Sequence, residues 1–401
     1  MCDPVARTLP QVIEESLTPI KAIPAEDDDA RAVREAVAVA RAELVDREIV
    51  SEAVVLCAVA GEHLLVIGAP GTAKSEAVRR VAHHLGGRLF EYILGRFTEP
   101  NEIFGPVDLR RLREGVVEVE TAGMLPEADV AFLDEVFLGS TAILNTLLGL
   151  LNERTFRRGS TAVDVPLRVC VGAANALPED PALDAFADRF LARIFVEPVA
   201  DARLEELLET GWAGGRADSL PPASERLLPV VDRLAAAARS CDLTAIRPQL
   251  AVAIRRLRAA GVPLSDRRAV RSQRLVAAAA VLDGRGAATP ADLWVLPLIA
   301  PTADAQALAR DTLADLLGTS RNRSLLHAAE ELSRGPLARA ERLAHTGEAQ
   351  LAELGLPPHP RDERLRLEAT LREIDASFGV DSVPEQLGAV RERLVAAVTA
   401  P

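Results

Sequence analysis

The segment "GAPGTAKS" at residues 68–75 has the spacing of a phosphate-binding loop, with two glycines ahead of a lysine and a serine. It lies between the apolar run "HLLVI" and a helix-type pattern, an order that directs backbone N–H groups and the positive end of a helix toward phosphate oxygens. Lys74 would neutralise the β- and γ-phosphates, and the Ser75 hydroxyl would bind Mg²⁺. For this stretch alone, the alternative is a strand-to-helix turn with a chance Lys-Ser pair.

Position 73 departs from the usual pattern of such loops, because alanine stands where glycine is expected. Near the start of a helix, right-handed backbone angles are expected to suffice at Ala73, so the added methyl group should cost little. Gly71, in contrast, is expected to take angles that a side chain would resist. The residues expected to contact the nucleotide run from the loop into the helix: Gly68, Ala69, Pro70, Gly71, Thr72, Ala73, Lys74, Ser75 and Glu76.

Polar side chains end two further apolar runs. "VAFLDE" ends in Asp134 and Glu135, and "RVCVGAAN" ends in Asn175. Ligands of parallel α/β folds bind at the carboxyl ends of strands, where Asp134 suits contact with Mg²⁺ through its water ligands. Glu135 suits polarising the water that attacks a γ-phosphate, and Asn175 suits orienting that water or contacting the γ-phosphate. The alternatives are a helix cap for the acidic pair and a turn for the asparagine. A phosphate loop upstream favours the catalytic interpretation of the acidic pair.

Two later segments carry pairs of arginines. "ADRFLARI" contains Arg189 and Arg193, and "LSDRRAVRS" contains Arg267 and Arg268 at a predicted helix start. Arginines in such positions are commonly solvated or paired with neighbouring aspartates, and a surface pair of this kind contributes little. Their roles therefore depend on the wider pattern of the chain.

The hydrophobic pattern predicts the elements that position these side chains. Five short apolar runs alternate with helix-type segments, which is typical of a parallel α/β sheet. Between the second and third runs, residues 107–123 alternate around Gly115 and predict an inserted β-hairpin. Residues 30–62 suggest two helices, and the chain from 203 onward predicts helices alone. The five runs lie at residues 63–68, 88–94, 130–135, 168–175 and 193–198.

Composition limits the class of protein. The net charge is −13, from 46 basic and 59 acidic residues, and aromatic residues make up 3%, so broad nucleic-acid binding is not expected. The four cysteines have no spacing suited to zinc and predict free thiols. The N-terminus lacks a targeting pattern, and no apolar run is long enough to span a membrane. We therefore expect a soluble cytoplasmic protein.

Taken in order, "GAPGTAKS", "VAFLDE", "GAAN", "DRF" and "SDRR" resemble the motifs of AAA+ ATPases, and within them the MoxR family, closest to its RavA-like branch. The segments "GRFTEPNEIFGPVDLRRL" and "AILNTLLGLLNERTFRRG" also resemble that branch. That family commonly has alanine before the loop lysine, so Ala73 resembles a family variant. The resemblance covers about residues 30–300 and fades beyond residue 318.

The resemblance implies an AAA+ α/β fold: a five-stranded parallel sheet with an inserted hairpin, an all-helical lid and here a helical C-terminal region. The corresponding parts would be an N-terminal arm at 1–29, the nucleotide-binding domain at 30–200, the lid at 201–318 and a C-terminal extension at 319–401.

The resemblance also implies roles for the singled-out residues, with ATP and Mg²⁺ as ligands. Lys74 and Ser75 would hold nucleotide and metal, with Asp134 and Glu135 as the acidic pair and Asn175 as the first sensor. Arg189 resembles the finger that is donated to a neighbouring subunit, with Arg193 as the alternative one helical turn away. Arg267 resembles the second sensor, with Arg268 as the alternative.

By the same resemblance, the protein would hydrolyse ATP and remodel a client protein. It would act as a ring of identical subunits, which we expect to be a hexamer. The client would be one that carries, or acts beside, a von Willebrand factor A domain. A chelatase-type ATPase subunit is a related alternative that fits the segments between the motifs less well, and the acidic charge disfavours a DNA-translocating motor. A nucleotide-binding scaffold with little hydrolysis is an alternative of another class, which intact Glu135 and Asn175 disfavour.

Overall fold

The structure is a computed structural model of the chain, and it describes residues 24–41, 44–199, 203–213, 227–318, 320, 322–334, 336–354, 360–378 and 383–399. Most of the predicted N-terminal arm therefore lies outside the described residues, and the chain is helical from Pro24. The predicted domain boundaries after residues 200 and 318 also fall at positions outside these ranges.

Among the described residues, seven strands form two sheets. In chain order they are β1 Leu64–Gly68, β2 Leu89–Ile93, β3 Val130–Asp134, β4 Thr155–Arg158, β5 Thr161–Asp164, β6 Val169–Ala174 and β7 Ala192–Val196. Five of them pair in parallel in the order β2-β3-β6-β1-β7, which confirms the predicted five-stranded sheet. Because β1 and β6 are central neighbours, the polar residues that follow β1, β3 and β6 meet at one edge of the sheet.

Helices cover both faces of this sheet, because its strands are apolar on both sides. Leu64 and Val66 of β1 belong to one core, and Leu65 and Ile67 belong to the other, as the alternation of side chains in a strand requires. The helices of the α/β region are α1 Pro24–Arg41, α2 Glu48–Ala60, α3 Lys74–Leu85, α4 Pro100–Phe104, α5 Leu109–Arg113, α6 Thr141–Glu153 and α7 Pro181–Ala187.

The hairpin of the fold lies at β4 and β5, which pair in antiparallel fashion directly after α6. The prediction of a hairpin at 107–123 was wrong in position. There the chain forms the short helix α5, because the Asp108 carboxylate accepts hydrogen bonds from the backbone N–H groups of Arg110 and Arg111 and so caps a helix start. A single antiparallel bridge, Val107 with Val119, closes this segment.

Beyond β7 the described chain is helical, as predicted. The helices are α8 Leu204–Ala213, α9 Leu228–Ser240, α10 Arg247–Ala259, α11 Asp266–Leu282, α12 Ala303–Thr312, α13 Ala314–Leu317, α14 Leu326–Arg334, α15 Pro336–Glu353, α16 Arg361–Ser377 and α17 Glu385–Thr399, with a 3₁₀ helix at Pro290–Ile299. No helix in these ranges is both long enough and apolar enough to cross a membrane.

The described residues of the helical half form two cores. The lid helices share one core with α1 and α2, around the fully buried Trp294, and α14 joins it through Ala328 and Leu332. Buried Glu52 of α2 fixes α14, since it accepts a hydrogen bond from the Ala328 N–H at 2.7 Å and pairs with Arg41 at 2.8 Å. The last three helices, α15 to α17, pack around a separate core.

His63, directly before β1, predicts a pH effect on stability. It is buried, its Nδ1 accepts from the Cys170 N–H, and its Nε2 lies 3.0 Å from the Leu151 carbonyl. This arrangement needs the neutral ring, and burial holds its pKa well below the ordinary value of 6.5. The unfolded chain therefore binds a proton that the folded chain refuses, so stability is present above pH 6.5 and is lost as pH falls.

We expect the free energy of unfolding to decrease by up to about 1.4 kcal/mol per pH unit below about pH 6.5 through this group. Denaturant unfolding at pH 7 and pH 5 measures the effect, and the same series with His63→Gln is the control. An equal pH slope for both proteins would contradict the assignment.

Candidate functional site

The loop between β1 and α3 is held in a closed form by Lys74. The Lys74 Nζ donates to the carbonyl oxygens of Gly68 and Ala69 at 2.7 and 3.0 Å, and Lys74 is only 6% exposed. Burial lowers the pKa of the ammonium, while the charges of Asp134 and Glu135 oppose this shift. The lysine therefore lies near the acidic pair, as the sequence predicted.

Three positions of the loop have distinct backbone requirements. A Cβ at Gly68 would lie 2.4 Å from the Val196 carbonyl oxygen, so only glycine fits where the end of β7 approaches. Gly71 has φ +79°, which confirms the expectation for it. Ala73 has φ 55° and precedes the first helical residue, so the expectation of right-handed angles was wrong. The chain must turn through a left-handed residue here to place the first N–H groups of α3 toward the loop.

Ala73→Gly tests this left-handed conformation. A residue other than glycine costs about 1–2 kcal/mol in the left-handed region. Glycine avoids this cost, but it lowers the stability of the folded state by about 0.4–1 kcal/mol because it increases the entropy of the unfolded chain. We expect the variant to be up to about 1 kcal/mol more stable and to bind ATP as well as the parent protein does. Denaturant unfolding decides the point, and a loss of more than 1 kcal/mol would show that Ala73 is not strained.

The acidic pair and the predicted first sensor are in contact. The Asn175 Nδ2 donates to Glu135 Oε1 at 2.5 Å, and Asp134 Oδ1 accepts from the Glu135 N–H at 2.9 Å. Glu135 has φ 49°, a conformation that costs energy and occurs at sites where side-chain direction matters. The structure thus places Lys74, Asp134, Glu135 and Asn175 at the carboxyl edge of the central strands.

The oxygen donors at this edge fit a magnesium ion. Ser75 brings a hydroxyl at the first turn of α3, and Asp134 brings a carboxylate whose charge acts on adjacent Lys74. Hydroxyl, carboxylate and phosphate oxygens are the ligands that Mg²⁺ prefers. Glu76 differs, because its carboxylate is bound by Arg79 and Arg80 at 2.9 and 2.7 Å. Its backbone N–H is then the group that a phosphate can use.

Arg47 is a residue of the site that sequence reasoning missed. It is 3% exposed, and it donates to the carbonyl oxygens of Thr72 at 2.6 Å and Glu197 at 3.0 Å. It therefore connects the phosphate loop to the segment after β7. Burial lowers the pKa of its guanidinium. The signal in the sequence was the polar interruption "VDRE" between two apolar helices.

Arg189 lies at the opposite edge of the sheet from its own phosphate loop. It follows α7 and precedes β7, whose first residue pairs with Leu64 and whose last pairs with Gly68. The five residues of the strand separate the two edges by about 16 Å. The Arg189 side chain is partly exposed, and its Nε has no hydrogen-bond partner in the described chain.

The two alternative arginines are buried connectors. Arg193 is 6% exposed and donates to the carbonyl oxygens of Pro301 at 2.7 Å and Ala187 at 3.2 Å. Burial, and then the charge of Arg268, lower its pKa to about 10. Arg268 is 3% exposed, pairs with Asp188 at 3.0 Å and donates to three carbonyl oxygens. Both arginines connect β7 to the lid. Asp188 is paired with Arg268.

Arg267 also lies at the edge opposite its own phosphate loop. Its Nη2 donates to Asn152 Oδ1 at 2.7 Å, and the neighbouring Leu151 carbonyl contacts His63 directly before β1. Arg271 of the same helix pairs with Glu62, also before β1. The start of α11 is thus docked at the amino edge, so Arg189 and Arg267 share one side of the subunit and the phosphate loop lies on the other.

Comparison with known proteins gives two family matches. Residues 31–226 match the MoxR domain of MoxR-vWA-beta-propeller ternary systems, and residues 241–306 match an AAA lid domain.

Similar proteins come from archaea, a virus and a bacterium. Two uncharacterized proteins of Methanocaldococcus jannaschii, MJ0812 and MJ0079, are 36% and 35% identical over 59% of this chain, which spans 62% and 61% of their lengths. A structural protein of Acidianus two-tailed virus is 34% identical over 36% of this chain and 24% of its own.

A solved protein of Cytophaga hutchinsonii, provisionally named an ATPase, has the same fold, with a TM-score of 0.57 and 16% identity over 74% of this chain and 97% of that one. Together with the phosphate loop and the acidic pair, the family matches support one conclusion: residues 31–226 form a MoxR-type AAA+ ATPase domain, which an AAA lid domain follows at residues 241–306.

Proposed function

We propose that the protein hydrolyses ATP with Mg²⁺ in a ring of identical subunits, hexameric in our expectation, and uses the energy to remodel a client protein. The observation that carries this proposal is the contact between Asn175 and Glu135 beside Lys74 and Asp134. A water-activating carboxylate that is held in place by an amide is needed for hydrolysis and is not needed for binding alone.

The residues of the site divide the work of hydrolysis. On ATP binding, Lys74 would exchange the carbonyls of Gly68 and Ala69 for phosphate oxygens. Ser75 and Asp134 would hold Mg²⁺, which supplies charge neutralisation at the phosphates. Glu135 accepts a hydrogen bond from Asn175 through Oε1, and it would polarise the attacking water.

The geometry of the arginines supports an active site that two subunits share. Arg189 and Arg267 lie at the amino edge of the sheet, about 16 Å from their own phosphate loop. A head-to-tail contact would bring them to the next subunit's nucleotide, and repetition of such a contact closes a ring. Arg189 would act as the finger on the γ-phosphate and Arg267 as the second sensor, since Arg193 and Arg268 are buried in structural contacts.

The partner proposal rests on the description of the family that residues 31–226 match, which names a von Willebrand factor A domain and a β-propeller. We infer that the client carries or acts beside a von Willebrand factor A domain and that the protein works in the cytoplasm. The RavA-like branch is proposed from the sequence segments between the motifs.

Calorimetric titration of Mg-ATP into Lys74→Ala tests the proposal at its first step. A hydrogen bond to a charged group contributes about 1.5–3 kcal/mol, so we expect binding at least about tenfold weaker, and thermal unfolding checks that the variant is folded. Arg110→Ala, an exposed arginine in α5, is the control and should bind normally. Equal ATP affinity for Lys74→Ala and the parent would refute the loop assignment.

A further inference from the structure

A cavity of about 440 Å³ lies outside the nucleotide site. Gly61, which follows α2 and precedes β1, lines it, so the length of β1, about 16 Å, separates it from the phosphate loop. Neither Arg189 nor Arg267 lines this cavity. Its apolar wall consists of Ala58, Val59, Ala60, Leu167, Ala235 and Ala238.

The polar wall of the cavity is strongly basic, with four arginines and one carboxylate: Arg154, Arg168, Arg239, Arg274 and Asp232. Asp232 is already bound by Arg168 through two hydrogen bonds, of 2.9 and 2.7 Å, and Arg274 is held by Glu62 at 3.1 Å. Within the described ranges, Arg154 and Arg239 form no ion pair. Two positive charges at the cavity thus lack a counter-charge.

Arg154 carries an unmet hydrogen-bonding group. Its Nη1 is buried and has no hydrogen-bond partner in the part of the chain that the structure describes, whereas its Nη2 donates weakly to the carbonyls of Gly61 and Arg168 at 3.2 and 3.4 Å. Burial lowers the pKa of this guanidinium to about 10. A buried donor without a partner is costly, and an anion in the cavity would place a counter-charge beside this guanidinium.

We propose that this cavity binds a small phosphate-bearing anion, with Arg154 and Arg239 as its principal contacts. A guanidinium binds two oxygens of one phosphate group at once, and a phosphate monoester carries about −1.5 to −2 charge, which matches two unpaired arginines better than one carboxylate does. The apolar wall leaves room for the organic part of the ligand.

Occupancy would connect the two halves of the nucleotide-binding unit. The last turn of α2, Arg154 and Arg168 belong to the α/β region, whereas α9 and Arg274 belong to the helical region that follows β7. A bound phosphate would therefore hold the lid, and with it the start of α11, against the sheet. This binding does not depend on ATP hydrolysis.

Pyrophosphate titrated by calorimetry into the Lys74→Ala protein tests the site, because the phosphate loop is disabled in that background. We expect saturable binding to one site, weakened at least tenfold by the added Arg239→Ala change and unaffected by Arg255→Ala. Arg239 and Arg255 are both exposed, so neither change should disturb folding, and Arg255 does not line the cavity.

Two further arms define the contact. Arg154→Lys keeps the charge and removes the guanidinium fork, so its affinity for pyrophosphate should also fall at least tenfold. Thermal unfolding checks that this variant is folded. If it is not folded, the comparison with Arg239→Ala decides. Citrate should bind at least tenfold more weakly than pyrophosphate. The proposal is overturned by absence of saturable binding, by equal affinity in Arg239→Ala, or by citrate binding as tightly as pyrophosphate.

Discussion

Replacement of Arg189 by alanine is expected to lower the steady-state ATPase rate by about 10³- to 10⁵-fold, the range known for arginine fingers. ATP binding should be retained, because Arg189 lies at the opposite edge of the sheet from its own phosphate loop. The free energy of unfolding should change by no more than about 1 kcal/mol, since Arg189 forms no ion pair among the described residues and its neighbour Asp188 is bound by Arg268.

The measurement is ATP turnover at saturating nucleotide, with calorimetric ATP affinity and thermal unfolding beside it. Arg110→Ala serves as the control for loss of an exposed arginine. Turnover near that of the parent in Arg189→Ala would remove the finger role from this residue. Arg193 would not inherit it without rearrangement, since its guanidinium is bound to the Pro301 and Ala187 carbonyls.

Glu135→Gln is expected to bind ATP normally and to hydrolyse it about 10²- to 10⁴-fold more slowly, the usual contribution of a general base. The glutamine carbonyl can still accept the hydrogen bond from Asn175, so the change removes basicity and keeps the geometry. Single-turnover hydrolysis separates the chemical step from product release. Hydrolysis at the parent rate would favour a different base, and loss of ATP binding would show that Glu135 holds the nucleotide.

The grouping of polar residues at the carboxyl edge of the sheet could be predicted from the sequence because each part of it is local. Lys74, Asp134, Glu135 and Asn175 each follow a short apolar strand, and parallel pairing brings the ends of such strands together. Ala73 could not be predicted in the same way, because its left-handed angle is set by how α3 meets β1 and not by the residue itself.

The segment at 107–123 and the paired arginines show the limits of pattern reasoning. Alternation predicted a hairpin, but Asp108 caps a helix and outweighs it, while the hairpin of the fold formed at 155–164. Adjacent arginines look equivalent in the sequence. Burial distinguishes them, since Arg268 is 3% exposed and holds three carbonyls of the β7–lid junction, whereas Arg267 is partly exposed.

In the proposed ring, one subunit supplies Glu135 and the next supplies Arg189 to the same ATP. ATPase activity against mixing ratio of Arg189→Ala and Glu135→Gln subunits tests this claim most directly, because neither protein alone can form a complete site. With random assembly at equal amounts, about one quarter of the subunit junctions pair an intact Glu135 with an intact Arg189. We predict recovery to about one quarter of the parent rate, with a maximum near equal mixing. Activity that stays at the level of the two separate proteins at every ratio would contradict a shared site.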